Sequence, residues 1–172
     1  MTPCDKVSVL QRYEEGRKNN YTKAVMGFFK DHRPLSNFHE EPFSYAGLIW
    51  PAAENAYQAS KFTPEHWGQF LRLKPNEART EGRRANGPWS SVEWNSRRYN
   101  AMLGILAEKF AQCPKAQACL LSTEHQHLEE CNWWHDVYWG TCGGLGQNRL
   151  GEILMLIRES IQSLKNKESP CP

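Results

Sequence analysis

Glu54, Tyr57, Gln58 and Lys61 are spaced i, i+3, i+4 and i+7, so a helix here carries a carboxylate, a phenol, an amide and an amine along one edge. Ala52, Ala53, Ala56 and Ala59 surround that edge with small apolar groups, which lets such a helix sit close to its neighbours while the long polar groups reach across a cleft. A solvated helix face has the same spacing, and the pattern alone leaves both readings open. The second concentration of chemistry is Asn132 to Gly140, where Trp133, Trp134, His135, Tyr138 and Trp139 surround the carboxylate of Asp136. Rings desolvate a carboxylate and raise its pKa, and a nearby Lys or Arg lowers it, so either environment makes Asp136 a tuned group. The alternative is an aromatic corner in which Asp136 caps a turn.

Gly143, Gly144, Leu145, Gly146, Gln147 and Asn148 directly precede the last helical pattern. Glycines let backbone N–H groups converge and a helix start adds a positive dipole end, so Gly146 and Asn148 are candidates for holding a phosphate. The spacing matches neither the P-loop nor the dinucleotide fingerprint, and an ordinary loop ending in an Asn N-cap fits equally well. Arg83 and Arg84, and Arg97 and Arg98 beside Trp94, could pair bidentately with phosphate or stack on rings, or be plain surface arginines. His125, His127, Cys131, His135 and Cys142 fall close together, but the paired short spacing of a structural zinc site is missing. The 6 cysteines form no C-x-x-C pair, so they read as reduced thiols, and no metal is expected.

These groups need a scaffold. Pro51 at a first helical position starts a helix to about Phe62, Thr63-Pro64 starts another, and a third spans Pro75 to Gly87-Pro88. From Ser91 to Gln112, Tyr99, Met102, Leu103, Leu106 and Phe110 form one apolar stripe; Pro114 opens a short helix through Leu121. Leu150, Ile153, Leu154, Ile157, Ile161 and Leu164 share the buried face of a last helix, opposite Glu152, Arg158, Glu159 and Lys165. Val25–Phe29 and Phe43–Tyr45 suit short strands joined by an irregular loop, and a brief extended piece at His127–Cys131 leads into the aromatic loop.

The expected fold is α+β, a single compact, mostly helical domain with a small short-stranded β element. It comprises an N-terminal extension (1–24) with little periodicity, the working domain (25–165) and a flexible tail (166–172). With 172 residues, 40% hydrophobic and 23% charged, the composition excludes a disordered chain. A net charge of +2 argues against a domain driven onto nucleic acid by its overall field. No apolar stretch is long enough for a membrane span or a signal peptide, so an intracellular protein, cytoplasmic or nuclear, is expected.

The ordered set of motifs resembles the NADAR or YbiA-like N-glycosidase family. The matching residues are Leu35-Ser36-Asn37-Phe38, the run Trp50 to Phe62, Gly82-Arg83, Trp94, Met102, Lys109-Phe110 and Thr123. They continue with Asp136, Trp139-Gly140, and Gly146, Asn148, Leu150-Gly151, Leu154-Met155 and Arg158. The resemblance implies hydrolysis, without cofactor, of the C–N bond between a ribose and a nucleobase-like amine. The implied substrates are ADP-ribosylated guanine first, and phosphorylated ribosylamino-pyrimidine intermediates of riboflavin synthesis second. It implies Glu54, Lys61 and Asp136 as catalytic groups, with Asn37, Arg83, Trp94 and Trp139 lining the site; Tyr57, Gln58, Gly146 and Asn148 join them as binding candidates. The implied partner is an ADP-ribose-containing or ribose-phosphate small molecule, with ADP-ribosylated nucleic acid a further candidate and no membrane or obligate protein partner. A nucleotide-binding module without turnover is the rival, but it would need the rings and arginines more than an acid and an amine together.

Overall fold

In chain order the elements are α1 (Lys6–Lys18), β1 (Ala24–Met26), a 3₁₀ helix (Lys30–Leu35), β2 (Phe43–Tyr45), β3 (Leu48–Trp50) and α2 (Ala53–Ala59). A second 3₁₀ helix (Pro64–Arg72), α3 (Pro75–Arg84), α4 (Ser91–Gln112), α5 (Pro114–Ser122), β4 (His127–Glu129) and α6 (Arg149–Glu168) complete them. The computed structural model describes residues 4–19, 24–84 and 87–168. They form two units: one made of both ends of the chain, up to Ser36 and from Ala118 onward, the other of Asn37–Gln117. The fold class is α+β, mostly helical with short strands, as the sequence implies.

In the first unit β1 and β4 pair in parallel, with Val25 opposite Leu128 and both fully buried. The sequence reading missed α1, whose fully buried side chains among the described residues are Val9 and Tyr13, one turn apart, while Val7 is exposed. The Tyr13 hydroxyl donates to the Phe29 carbonyl (2.5 Å) and accepts from the Asp31 N–H (3.1 Å), which pins the helix to the chain after β1. The stretch read as an irregular loop holds the 3₁₀ helix, with Leu35 buried. On α6, Leu150, Ile153, Leu154 and Ile157 are buried as expected, but Leu164 is 60% exposed. Arg158, expected on the solvent face, is buried instead, its Nη1 donating to Thr123 Oγ1 at 2.7 Å. Residues 166–168, expected in the tail, continue α6, where lysines in the last turn suit the helix dipole. The rest of that tail, 169–172, lies outside the described residues.

The cysteine reading needs one correction: Cys4 and Cys142 are disulfide-bonded, while Cys113, Cys119 and Cys131 are not part of a disulfide. The pairing crosses 138 positions, so no local spacing could reveal it.

In the second unit β2, expected from the sequence, pairs with β3, which was not, in an antiparallel hairpin. Its turn residues Ala46 and Gly47 both have positive φ (51° and 78°), the left-handed pair that a two-residue hairpin turn demands. α4 starts with a capping box, Ser90 Oγ accepting the Glu93 N–H and the Glu93 carboxylate accepting the Ser90 N–H. Its stripe buries Met102, Ile105, Leu106 and Phe110 beside Trp50 and Phe70 in this unit's core. α2 is shorter than expected: Ala52 is its N-cap and it ends at Ala59, so Lys61 stands in the turn after the helix.

Candidate active site

α2 has no solvated face. Every residue from Ala53 to Ala59 is buried, Glu54, Tyr57 and Gln58 included, and this decides the question that spacing left open. The small alanines on the other sides allow the close packing that encloses these polar groups. Glu54 is held at both ends: its N–H donates to the Asn37 carbonyl (3.0 Å), and its Oε1 accepts from Gln58 Nε2 (2.8 Å). Gln58 in turn lies against α3, where a Cβ on Gly82 would come within 2.1 Å of Gln58 Oε1. Only a glycine lets the two helices approach this closely here.

Lys61 Nζ donates to the Gly82 carbonyl at 3.4 Å and stands 5.6 Å from the Tyr57 ring centre and 6.0 Å from that of Trp94. The two rings face each other at 5.6 Å and 50°, so α2 and the first turn of α4 together wall the amine with aromatic surface. Burial pushes the Glu54 carboxyl above its ordinary pKa, against the hydrogen bond from Gln58 and the charges of Lys61, Arg79 and Arg83. Burial also pulls the Lys61 amine below its ordinary value, with Arg83 acting the same way and Glu54 opposing. An acid and an amine are thus both driven toward their neutral forms, the state in which one can donate a proton and the other can attack carbon.

Two acceptors beside this pair are unpaired. Asn37 Oδ1 and Gln58 Oε1 are buried with no hydrogen-bond partner among the described residues, and both belong to residues hydrogen-bonded to Glu54. A buried orphan acceptor costs about 1–3 kcal/mol, so hydroxyl or amine donors on a ligand would recover what the fold leaves unmade. Asn37 Nδ2 is committed to Met102 Sδ at 3.4 Å, which orients the amide.

Asp136, Trp139, Gly146 and Asn148 belong to the first unit. Asp136 Oδ1 accepts the N–H groups of Tyr138 (3.2 Å) and Trp139 (2.9 Å), the turn cap that was the alternative reading. Trp139 is half-buried, edge-on to Tyr138 at 4.9 Å. Five backbone amides of the glycine-rich segment and the start of α6 are committed to the protein's own carbonyls. Leu145, Gln147, Asn148, Arg149 and Leu150 donate to the carbonyls of Cys142, Val137, Gly140, Tyr138 and Trp139. Gly146 is required by packing, since a Cβ there would meet the Gly140 carbonyl at 2.2 Å. Asn148 bridges backbone groups, its Nδ2 donating to Leu128 O (2.8 Å) and its Oδ1 accepting the Glu130 N–H (3.0 Å).

The order and spacing of these segments agree with a family model, the NADAR domain, which matches residues 22–162. The chain belongs to the NADAR domain family. It is 36% identical over 134 residues to the N-glycosidase YbiA of Escherichia coli, an alignment covering 76% of this chain and 82% of that protein. It is 34% identical to a riboflavin biosynthesis protein of Vibrio vulnificus, covering 77% of this chain and 36% of that longer protein. The NMR structure of Escherichia coli YbiA superposes with a TM-score of 0.69 at 30% identity, covering 87% of this chain and 94% of that one.

One member of the site in this NADAR domain escaped sequence reading. Arg79 acts on Glu54 by its charge, and its guanidinium lies 5.7 Å from the Phe38 ring centre. The available signal was its position four residues before Arg83 on α3, which places both guanidinium groups on one face.

Proposed function

We propose that this chain is an N-glycosidase that hydrolyses the C–N bond between a ribose and a nucleobase-like amine. The observation that carries the reading is the buried Glu54 and Lys61 pair, shifted toward its neutral forms and bordered by the unpaired acceptors of Asn37 and Gln58. Cleavage leaves positive charge on the ribose and sends the bonding electron pair out with the base. Neutral Glu54 gives its proton to the ribose ring oxygen as the C1–O bond opens and the base nitrogen's lone pair forms an iminium at C1. Lys61, as a free amine, adds to C1 and passes a proton to the base nitrogen, which departs with the C–N bonding pair and leaves a protonated imine on Lys61. Water adds to that imine, a proton returns to Glu54, and the amine is regenerated as the sugar aldehyde is released. Tyr57 and Trp94 supply the flat surface, and Arg79 and Arg83 supply positive charge for a phosphorylated substrate.

ADP-ribosylated guanine is the substrate we place first, and a phosphorylated ribosylamino-pyrimidine the second. The name of the Vibrio vulnificus relative favours the second. Incubating the protein with each compound and following release of the base tests both, with borohydride added in parallel to reduce any imine to a stable adduct. Base release from one compound, with that compound trapped on Lys61, is the expected result. Release from neither overturns the assignment.

A further inference from the structure

We propose that Cys4, His135 and Cys142 form a site for a thiophilic divalent cation, zinc foremost, that is available when the Cys4–Cys142 bridge is reduced. Their three ligand atoms lie within 4.8 Å of one another. Cys142 Sγ stands 3.5 Å from His135 Nδ1. Zinc binds sulfur at about 2.3 Å and imidazole nitrogen at about 2.0 Å, so two such ligands on a tetrahedral ion are about 3.5 Å apart. The imidazole and one thiol therefore already stand at the edge length of the coordination polyhedron. Two thiolates with one imidazole suit zinc better than magnesium or calcium, which take oxygen ligands. Cys142 is buried, Cys4 is half-buried and His135 is exposed, which leaves a fourth position for water.

The loop holds two of the ligands before any metal arrives. His135 has φ 61°, an uncommon conformation for a residue other than glycine, and the buried Asn132 holds the backbone beside it. Asn132 Nδ2 donates to the carbonyls of Asp136 (2.8 Å) and Thr141 (3.0 Å), and its Oδ1 accepts the Asp136 N–H (3.0 Å). Cys142 exchanges backbone hydrogen bonds with Leu145 at 2.9 and 3.1 Å. The third ligand comes from the residue pair preceding α1, whose Val9 and Tyr13 anchor it in the same unit. The expectation of no metal rested on local spacing, and Cys4 lies outside any local window.

Bridge and metal exclude each other, so the site has two states. A dithiol reductant opens the bridge by delivering two electrons and two protons, becoming a disulfide itself and leaving two thiols. A zinc ion then displaces both thiol protons, and the two thiolate charges neutralise it. Compartments that keep thiols reduced favour the metal state, and oxidising ones favour the bridge.

The test uses the full chain reduced anaerobically with a phosphine and titrated with Co(II), then with Zn(II). Reduced wild type is expected to bind one equivalent of cobalt, with sulfur-to-cobalt charge-transfer absorption and intense tetrahedral visible bands that zinc abolishes. The oxidised chain is expected to show neither. The double variant Cys4→Ser and Cys142→Ser sets the background from the four other cysteines of the chain. His135→Gln retains the bridge, and so the oxidised fold, and is expected to weaken zinc binding at least tenfold after reduction. Cobalt spectra in reduced wild type no different from the double variant overturn the proposal. So does zinc affinity unchanged in His135→Gln, a comparison that stands even where the double variant fails to fold.

Discussion

Two polar regions of this protein are built on opposite terms. In the loop from Asn132 to Asn148, carboxylate and amide groups serve the loop's own backbone. Asp136 accepts two N–H groups, Asn132 ties together the carbonyls of Asp136 and Thr141, and Asn148 joins Leu128 to Glu130. Around α2 the accounts stay open: Glu54 and Lys61 are buried against their ionic preference, and Asn37 Oδ1 and Gln58 Oε1 have no partner among the described residues. A fold closes its hydrogen bonds wherever stability is the only demand. Polar groups left unmade in the interior therefore point to a ligand, and groups fully engaged point first to structure.

The sharpest break of this contrast is at Lys61. Lys61→Ala is expected to lower turnover by about 10⁴-fold or more and to abolish borohydride trapping, while the chain stays folded. Retention of most of the rate would remove the covalent route.

Glu54→Gln comes next, with an expected loss of about 10²- to 10⁴-fold in kcat and little change in KM. The same variant tests the electrostatics separately. Since burial raises the Glu54 pKa from 4.5, the folded chain retains a proton that the unfolded chain has released, and stability falls as pH rises between the two values. Glu54→Gln removes that slope. Its Tm should match wild type in acid and exceed it at pH 8; a Tm below wild type at pH 8 would show that the charged form is the one the fold favours. Lys61 has the opposite sign, its contribution growing as pH rises between its lowered folded value and 10.5.

Asp136 tests whether an engaged group can also serve the reaction. Asp136→Asn keeps an oxygen for the Tyr138 and Trp139 N–H groups but removes the charge, and it is expected to cost about 10²-fold in turnover at unchanged Tm. An unchanged rate would confine Asp136 to the turn. Gly82→Ala follows: the new Cβ would displace Gln58 from Glu54, with an expected loss of about tenfold in kcat/KM and about 1–3 kcal/mol in stability.

What could be read beforehand follows the range of the interactions involved. α4 was legible from Ser91 to Gln112 because its apolar stripe recurs every three or four residues and Pro114 follows it. The polar edge of α2 was legible as a pattern, but its burial depends on α3 and α4, so spacing alone favoured the solvated face, which the structure overturns. α1 was missed because two buried residues suffice to pack it. Arg79 and the Cys4 to Cys142 bridge were missed because their partners are distant in sequence. At Gly146 and Asn148 a positive φ and a close backbone approach select the same residue types as an anion cradle does, so residue type alone does not separate the two.

The smallest effect on chemistry is expected at Asn148. Its side chain makes one hydrogen bond as donor to Leu128 O and one as acceptor from the Glu130 N–H, while its φ of 51° suits Asn far better than Ala. Asn148→Ala leaves two backbone groups at the end of β4 unpaired and is expected to cost about 1–3 kcal/mol, each kcal/mol lowering Tm by about 2–4 °C in a chain of this size. Turnover per folded molecule should stay within about twofold of wild type. Asn148→Gly separates the two causes, since it accepts the left-handed backbone and loses only the hydrogen bonds, so its Tm should fall between the two. If Asn148→Ala instead kept its Tm and raised KM for a phosphorylated substrate, the glycine-rich segment would grip phosphate after all. The contrast between a closed loop and an open site would then fail at this residue.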